Sequence, residues 1–126
     1  MNIDPIADLL TRLRNAAMAH HDYVTVPFSK VKQEISNVMK AKGFIKDVSV
    51  EEEGKFKFLE ITLFEGRSLS LKRISTPGQR LYIQSKALKG TRGGLGTVIV
   101  STSQGIMASS EAKKKNLGGE LICEIF

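Results

Sequence analysis

Cysteine is nearly absent from this chain of 126 residues, Cys123 being the only one. No intrachain disulfide can form and one chain offers no cysteine cluster for a metal, which points to a reducing compartment. Proline is also scarce, at three residues, while 41% of the composition is hydrophobic and 25% charged. That balance excludes a disordered tail and predicts a folded globular protein. No apolar run approaches the roughly 18 to 20 residues that span a bilayer. Met1 is followed by polar and acidic residues with no secretory pattern, so the expected location is the cytoplasm, with no membrane partner. Internal repeats are missing, and the runs Glu51 to Glu53 and Lys113 to Lys115 are too short to be low-complexity tails. The length fits one folding unit or two small modules and excludes a large multidomain enzyme.

Acidic residues are scarce in the second half. Up to Gly66 there are nine Lys and Arg against ten Asp and Glu, net −1; from Arg67 onward there are ten against three, net +7. The overall charge of +6 and the isoelectric point near 9.6 therefore come from the C-terminal half. A basic half beside a near-neutral half fits a polyanion-binding surface better than uniform basicity does.

Asp4 and Pro5 predict an N-cap and first helical position, and Ile6, Leu9, Leu10, Leu13 and Ala17 recur at helical spacing. The opposite side of that helix gathers Asp8, Thr11, Arg12 and Asn15, with Arg14 nearby, a surface for phosphate or for salt bridges. Tyr23 to Val26 reads as a strand; Ser29 then caps a second helix with Val31, Ile35, Val38 and Met39 on its apolar side, ending at Gly43. Segments 44–50, 56–64 and 67–74 predict strands in a meander, with an acidic turn over 51–54. Thr76, Pro77 and Gly78 predict a tight turn or linker, with Leu81 and Ile83 on one side of the strand that follows and Arg80 and Tyr82 on the other. Beyond it come a glycine-rich loop over 90–96, a strand through Val98 and Val100, a turn near Gly105, and a short helix over 110–115 stopped by Gly118 and Gly119. A last strand follows, with Leu121, Cys123 and Ile125 sharing a face. The expected fold class is α+β. A small N-terminal α/β domain over 1–74 packs beside a C-terminal, mainly β domain over 75–126 that carries one short helix.

The residue types available for catalysis are few. His20 and His21 are adjacent between a helix and a strand and lack the spaced partners of a zinc site, which makes them loop or capping residues. Cys123, on an apolar strand face, reads as core, because desolvation disfavours the thiolate. The glycine-rich loop with Lys89 and Arg92 has the flexibility to cradle a phosphate, yet it lacks the closing Gly-Lys-Ser or Gly-Lys-Thr of a nucleotide loop. No cofactor is expected. Only Glu111, Glu120 and Glu124 are acidic in the basic half, too few for the metal-holding carboxylates of a nuclease unless Glu120 finds a distant partner.

The most distinctive segment is Ser101-Thr102-Ser103-Gln104-Gly105-Ile106-Met107. Hydroxyls can donate to phosphate or accept from a ribose 2′-OH, and glycine permits close approach of a sugar or base. Lys113, Lys114 and Lys115 follow it, and Arg73, Arg80, Lys86 and Arg92 extend the positive charge if their side chains converge. Binding to structured RNA is thus favoured over two other readings, a small RNA-processing enzyme and a protein-interaction module whose basic patch only aids solubility.

That segment, together with Glu111-Ala112-Lys113-Lys114-Lys115 and Asn116-Leu117-Gly118-Gly119-Glu120, closely resembles the signature region of bacterial small-subunit ribosomal protein eight. Asp4-Pro5-Ile6-Ala7-Asp8, the stretch through Thr11-Arg12 and Arg14-Asn15, and Pro77-Gly78-Gln79-Arg80-Leu81-Tyr82 extend the resemblance over essentially the whole chain. The resemblance implies a noncatalytic protein, monomeric when free, that binds a stem and internal loop in the central domain of small-subunit rRNA. It further implies contacts with neighbouring ribosomal proteins, a role in assembly and, in some bacteria, repression of a ribosomal-protein messenger. It assigns Ser101, Thr102, Ser103 and Gly105 to the principal RNA turn, Glu120 to support of the neighbouring loop, and Thr11, Arg12, Arg14 and Asn15 to a second contact. The chain departs from the family pattern at Gln104 and Thr76, where basic residues are frequent, and at Phe126, where a terminal Trp is common.

Overall fold

A computed structural model describes residues 4–66, 69–84 and 96–126. The first helix, α1 (Pro5–Met18), starts where the sequence predicts: the Asp4 carboxylate accepts the Ile6 N–H at 3.1 Å, satisfying an orphan donor of the first turn. Its buried stripe is Leu9, Leu10, Leu13, Ala16 and Ala17. The second helix, α2 (Lys30–Ala41), is capped by the Ser29 hydroxyl, which accepts the Lys32 N–H at 3.1 Å. Its buried stripe differs from the predicted one. Lys32, Ile35, Ser36 and Met39 face inward, whereas Val31 is 42% exposed. Lys32 is tolerated there because its ammonium donates to the Pro27 carbonyl at 3.2 Å while its methylene stem packs. The third helix, α3 (Ser109–Lys114), buries only Ala112.

The strands are β1 (Tyr23–Pro27), β2 (Asp47–Glu53), β3 (Phe56–Thr62), β4 (Leu71–Arg73), β5 (Tyr82–Ile83), β6 (Thr97–Thr102), β7 (Gly105–Ala108) and β8 (Gly119–Ile125). They form two antiparallel sheets, one in the order β1-β3-β2 and one in the order β4-β8-β6-β7 with β5 also on β8. Two sequence expectations change here. The acidic run is strand, not turn: Glu53 pairs with Phe56, and Gly54 and Lys55 alone make the turn, with Gly54 at φ +61°. The segment after Gly66 does not continue the meander, because β4 leaves the first sheet and pairs with β8, Leu71 opposite Ile125. Burial decides this. Leu71 joins a core in which Leu9, Leu13, Ile35, Leu59 and Ile61 meet Ile99, Cys123 and Ile125, so residues from both halves share one apolar interior.

A second, smaller cluster packs Val98, Val100, Met107 and Ala112 with Leu117 and Leu121. The predicted common face of Leu121, Cys123 and Ile125 is broken between the two clusters. The β6–β8 register shifts between Ile99 and Val100, so Ile99 opposes Cys123 while Val100 opposes Leu121, leaving Ile122 as the extra residue. A bulge of one residue turns Leu121 to the opposite side from Cys123, because side-chain direction alternates along a strand.

Candidate nucleic-acid interface

The Ser101 to Gly105 segment is the tip of a two-residue hairpin. Thr102 pairs with Gly105, and Ser103 and Gln104 make the loop, both exposed. Gly105 sits at φ +117°, a conformation open to glycine and strained for a residue with a Cβ. The Thr102 hydroxyl braces the turn from within, donating to the Gly105 carbonyl at 2.8 Å and accepting the Gln104 N–H at 3.1 Å. Thr102 therefore shapes the loop. Ser103 is exposed at the tip, and Ser101 is half-buried near the end of β6, opposite Glu120 of β8.

The floor behind this tip is a cleft of about 270 Å³ between the start of α1 and the second sheet, lined in part by Asp4, Arg73, Arg80, Ser101 and Glu120. Glu120, 16% exposed, lies 3.8 Å from the Arg80 guanidinium, whose side chain is 59% exposed. Glu120 also pairs in register with Tyr82 and with Ser101, so it stands between the β5 strand and the hairpin. The turn predicted at Thr76, Pro77 and Gly78 flanks the same cleft. Thr76 and Gln79 exchange backbone hydrogen bonds at 2.9 and 3.1 Å, and the fully buried Ser75 clasps the loop, its hydroxyl accepting the Leu81 N–H at 2.8 Å.

Arg73 is not part of a free positive surface. Its Nε meets Asp4 Oδ2 at 3.0 Å and its Nη1 donates to the Ile122 carbonyl at 2.7 Å, with both side chains largely buried. Asp4 thus caps α1 with one oxygen and holds β4 with the other. Arg14 is half-buried and donates to the Leu71 carbonyl, tying α1 to β4. On the exposed side of α1 stand Thr11, Arg12 and Asn15, with Arg12 paired to Asp8 at 3.0 Å one turn back. Lys113, Lys114 and Lys115 are all exposed around the C-terminal end of α3, where cations also suit the helix dipole. Lys86 and Arg92, and the glycine-rich loop up to Leu95, lie outside the described residues.

The remaining chemistry-bearing residues have structural places. His20, at φ +59°, closes α1: the His21 N–H reaches back to the Ala16 carbonyl at 2.9 Å. Cys123 is fully buried, and desolvation pushes its thiol up to about 12, against a small opposing effect of the Arg73 charge. Among the described residues no group of three or more His, Cys, Asp or Glu side chains could hold a metal ion, and no helix is long and apolar enough to cross a membrane.

Sequence reasoning passed over two residues that shape this site. Ser75 carries no signal beyond its position before a turn. Gly119 does not stop the helix as the sequence predicts: α3 is stopped by Asn116, at φ +56°, with the Leu117 N–H bonded to the Ala112 carbonyl at 2.8 Å. Gly119 is instead the first residue of β8, and the Ser101 carbonyl oxygen lies 2.1 Å from where a Cβ would stand.

The family described as "Ribosomal protein S8" matches residues 4–126. The small ribosomal subunit protein uS8 of Lactobacillus delbrueckii subsp. bulgaricus is 48% identical, over 98% of this chain and 97% of that protein. The uS8 protein of Nitratidesulfovibrio vulgaris is 44% identical over the whole of both chains, and that of Caldicellulosiruptor bescii is 45% identical over 98% of each. With a match spanning all but the first three residues and relatives covered almost end to end, the chain belongs to the ribosomal protein S8 family.

Proposed function

We infer that this protein is a noncatalytic constituent of the small ribosomal subunit that binds ribosomal RNA. The observation that carries the reading is the hairpin tip. Thr102 spends its hydroxyl on holding the loop, which leaves the Ser101 and Ser103 hydroxyls to meet a ribose or phosphate at a fixed spacing. Residues 75–126 are the principal RNA-binding unit. The exposed Lys113 and Lys114 position phosphates without reading sequence, and Arg80 extends that charge across the cleft. The 1–74 unit supplies the scaffold and a second contact through Thr11, Arg12 and Asn15, while Arg14 holds the scaffold together. Glu120, set against Arg80 and opposite Ser101, supports the loop from behind instead of touching phosphate.

The RNA is a stem with an internal loop in the central domain of small-subunit rRNA, bound in the cytoplasm by a protein that is monomeric when free. A messenger that folds into the same stem is bound by the same surface, and the protein then acts as its repressor. Chemical footprinting of small-subunit rRNA with the purified protein tests the partner, and protection confined to one central-domain stem is the expected result. Ser103→Ala should weaken binding to that fragment by about fivefold, the worth of roughly 1 kcal/mol for one hydrogen bond. Its unfolding midpoint should match the parent's. Equal affinity of the two proteins removes Ser103 from the contact.

A further inference from the structure

The hairpin tip is built on an unusually close backbone approach. A Cβ added at Gly119 would lie 2.1 Å from the Ser101 carbonyl oxygen, 2.9 Å from its carbonyl carbon and 3.2 Å from the Thr102 Cα. All three are backbone atoms, so no rotamer change relieves the overlap. To regain ordinary contact the Ser101 peptide would have to move by roughly 1 Å or more, a shift on the scale that loosens a binding site. The displaced atoms are the last two residues of β6, which lead directly into the Ser103-Gln104 loop.

Movement of that end has few outlets. Ser101 is held by Ile106 on one side and Glu120 on the other, and Gly119 itself is pinned by pairing with Ile83 of β5. On the far side of the loop, Thr102 ties β6 to Gly105, so a displaced Thr102 carries the whole tip with it. Further along β8, the bulge residue Ile122 is fixed through its carbonyl by Arg73. The chain at Gly119 therefore cannot retreat far from β6.

We propose that Gly119 is a positioning residue for RNA recognition. By lacking a side chain it lets the Ser101 peptide seat against β8, and this seat sets where the Ser101 and Ser103 hydroxyls are presented. The proposal rests on the reading of the hairpin tip as an RNA contact. It goes beyond that reading by placing a determinant of specificity at a residue that has no side chain to offer the RNA.

A double-mutant cycle separates the two claims. Parent, Gly119→Ala, Ser103→Ala and the double variant are compared for affinity to a central-domain rRNA fragment and to an unrelated duplex RNA, with the salt dependence of each. Gly119→Ala should bind the specific fragment at least about tenfold more weakly, with duplex binding and the salt slope unchanged because the lysine contacts persist. In the Ser103→Ala background the same change should cost clearly less, since one of the two contacts it disturbs is already gone. Backbone amide resonances over 101–105 should shift in Gly119→Ala while those of α1 stay in place. A Gly119→Ala protein that binds like the parent while Ser103→Ala is weakened overturns the positioning role alone. So does an additive cycle, a reduced salt slope, or a protein that fails to fold, each of which makes the glycine a general structural residue. A Ser103→Ala protein equal to the parent removes Ser103 from the RNA contact, and the proposal falls with it.

Discussion

Individual side chains that look alike in sequence do different work once their hydrogen bonds are counted. Ser101, Thr102 and Ser103 form one polar run, yet the Thr102 hydroxyl is spent inside the turn, while Ser103 is free at its tip. Arg12 and Arg14 differ in the same way: the first is exposed beside Asp8, the second donates to a backbone carbonyl of β4. Cys123 shows what burial does to a reactive group. Its thiol is raised from the ordinary value of 9.0 to about 12 by desolvation. Below pH 9 both folded and unfolded thiols are neutral and stability is unaffected; above it the unfolded chain ionises first, so this contribution is lost as pH rises from 9 towards 12. Alkaline denaturation should accordingly begin later in Cys123→Ala than in the parent, once the stability at neutral pH is matched. Thiol modification of the folded parent at pH 8 should proceed only as fast as unfolding exposes the residue.

At the scale of elements, the three helices among the described residues close by one device. In each, a left-handed residue follows the C-cap, His20, Gly43 or Asn116, and the next N–H returns to a carbonyl of the last turn. Only the glycine announces itself in sequence, because histidine and asparagine enter the left-handed region at a modest cost that packing offsets. Helix starts are more legible, since Asp4 and Ser29 act through local side-chain geometry. Asp4 has a second partner that no local pattern reveals, Arg73, 69 positions away in the chain. Asp4→Ala should therefore destabilise the protein by about 2 kcal/mol in urea denaturation, combining a lost cap with a largely buried Arg73 left short of a partner. Asp8→Ala breaks only an exposed pair one helical turn apart and should cost under about 0.5 kcal/mol. Similar costs for the two would show that Asp4 does not link α1 to β4.

Over the whole molecule, charge and burial divide the protein differently. Charge is partitioned by halves. In the near-neutral first half, Asp47, Glu51, Glu53 and Glu60 share the side of the first sheet opposite the buried Leu59 and Ile61, a face that repels phosphate. The apolar interior ignores that partition, since Leu71, Ile99, Cys123 and Ile125 complete a core begun by α1 and α2. One interior predicts one cooperative transition. With no Trp and two tyrosines, Tyr23 in the first sheet and Tyr82 in the second, the chain carries a natural reporter in each half. Tyr23→Phe and Tyr82→Phe each leave one reporter, and their fluorescence melts should superimpose. Separate midpoints would show that the two halves unfold independently.

What the sequence by itself determined is what short-range chemistry determines: α1 and α2 with their starts, most strands, the turn at Thr76, Pro77 and Gly78, the burial of Cys123, the charge asymmetry and the Ser/Thr segment. These follow from caps, periodicity and turn residues acting within a few positions. Tertiary structure alone decided the rest. It moved β4 into the second sheet, where Leu71 is buried in the shared core, and it flipped Leu121 away from Cys123 through a one-residue bulge. It gave Arg14 and Arg73 backbone partners within the fold, the Leu71 and Ile122 carbonyls, and made Gly119, read in sequence as a helix stop, the seat of the Ser101 peptide. Each of these depends on a contact between segments far apart in the chain, and such contacts are settled by packing and backbone register, which no local pattern encodes.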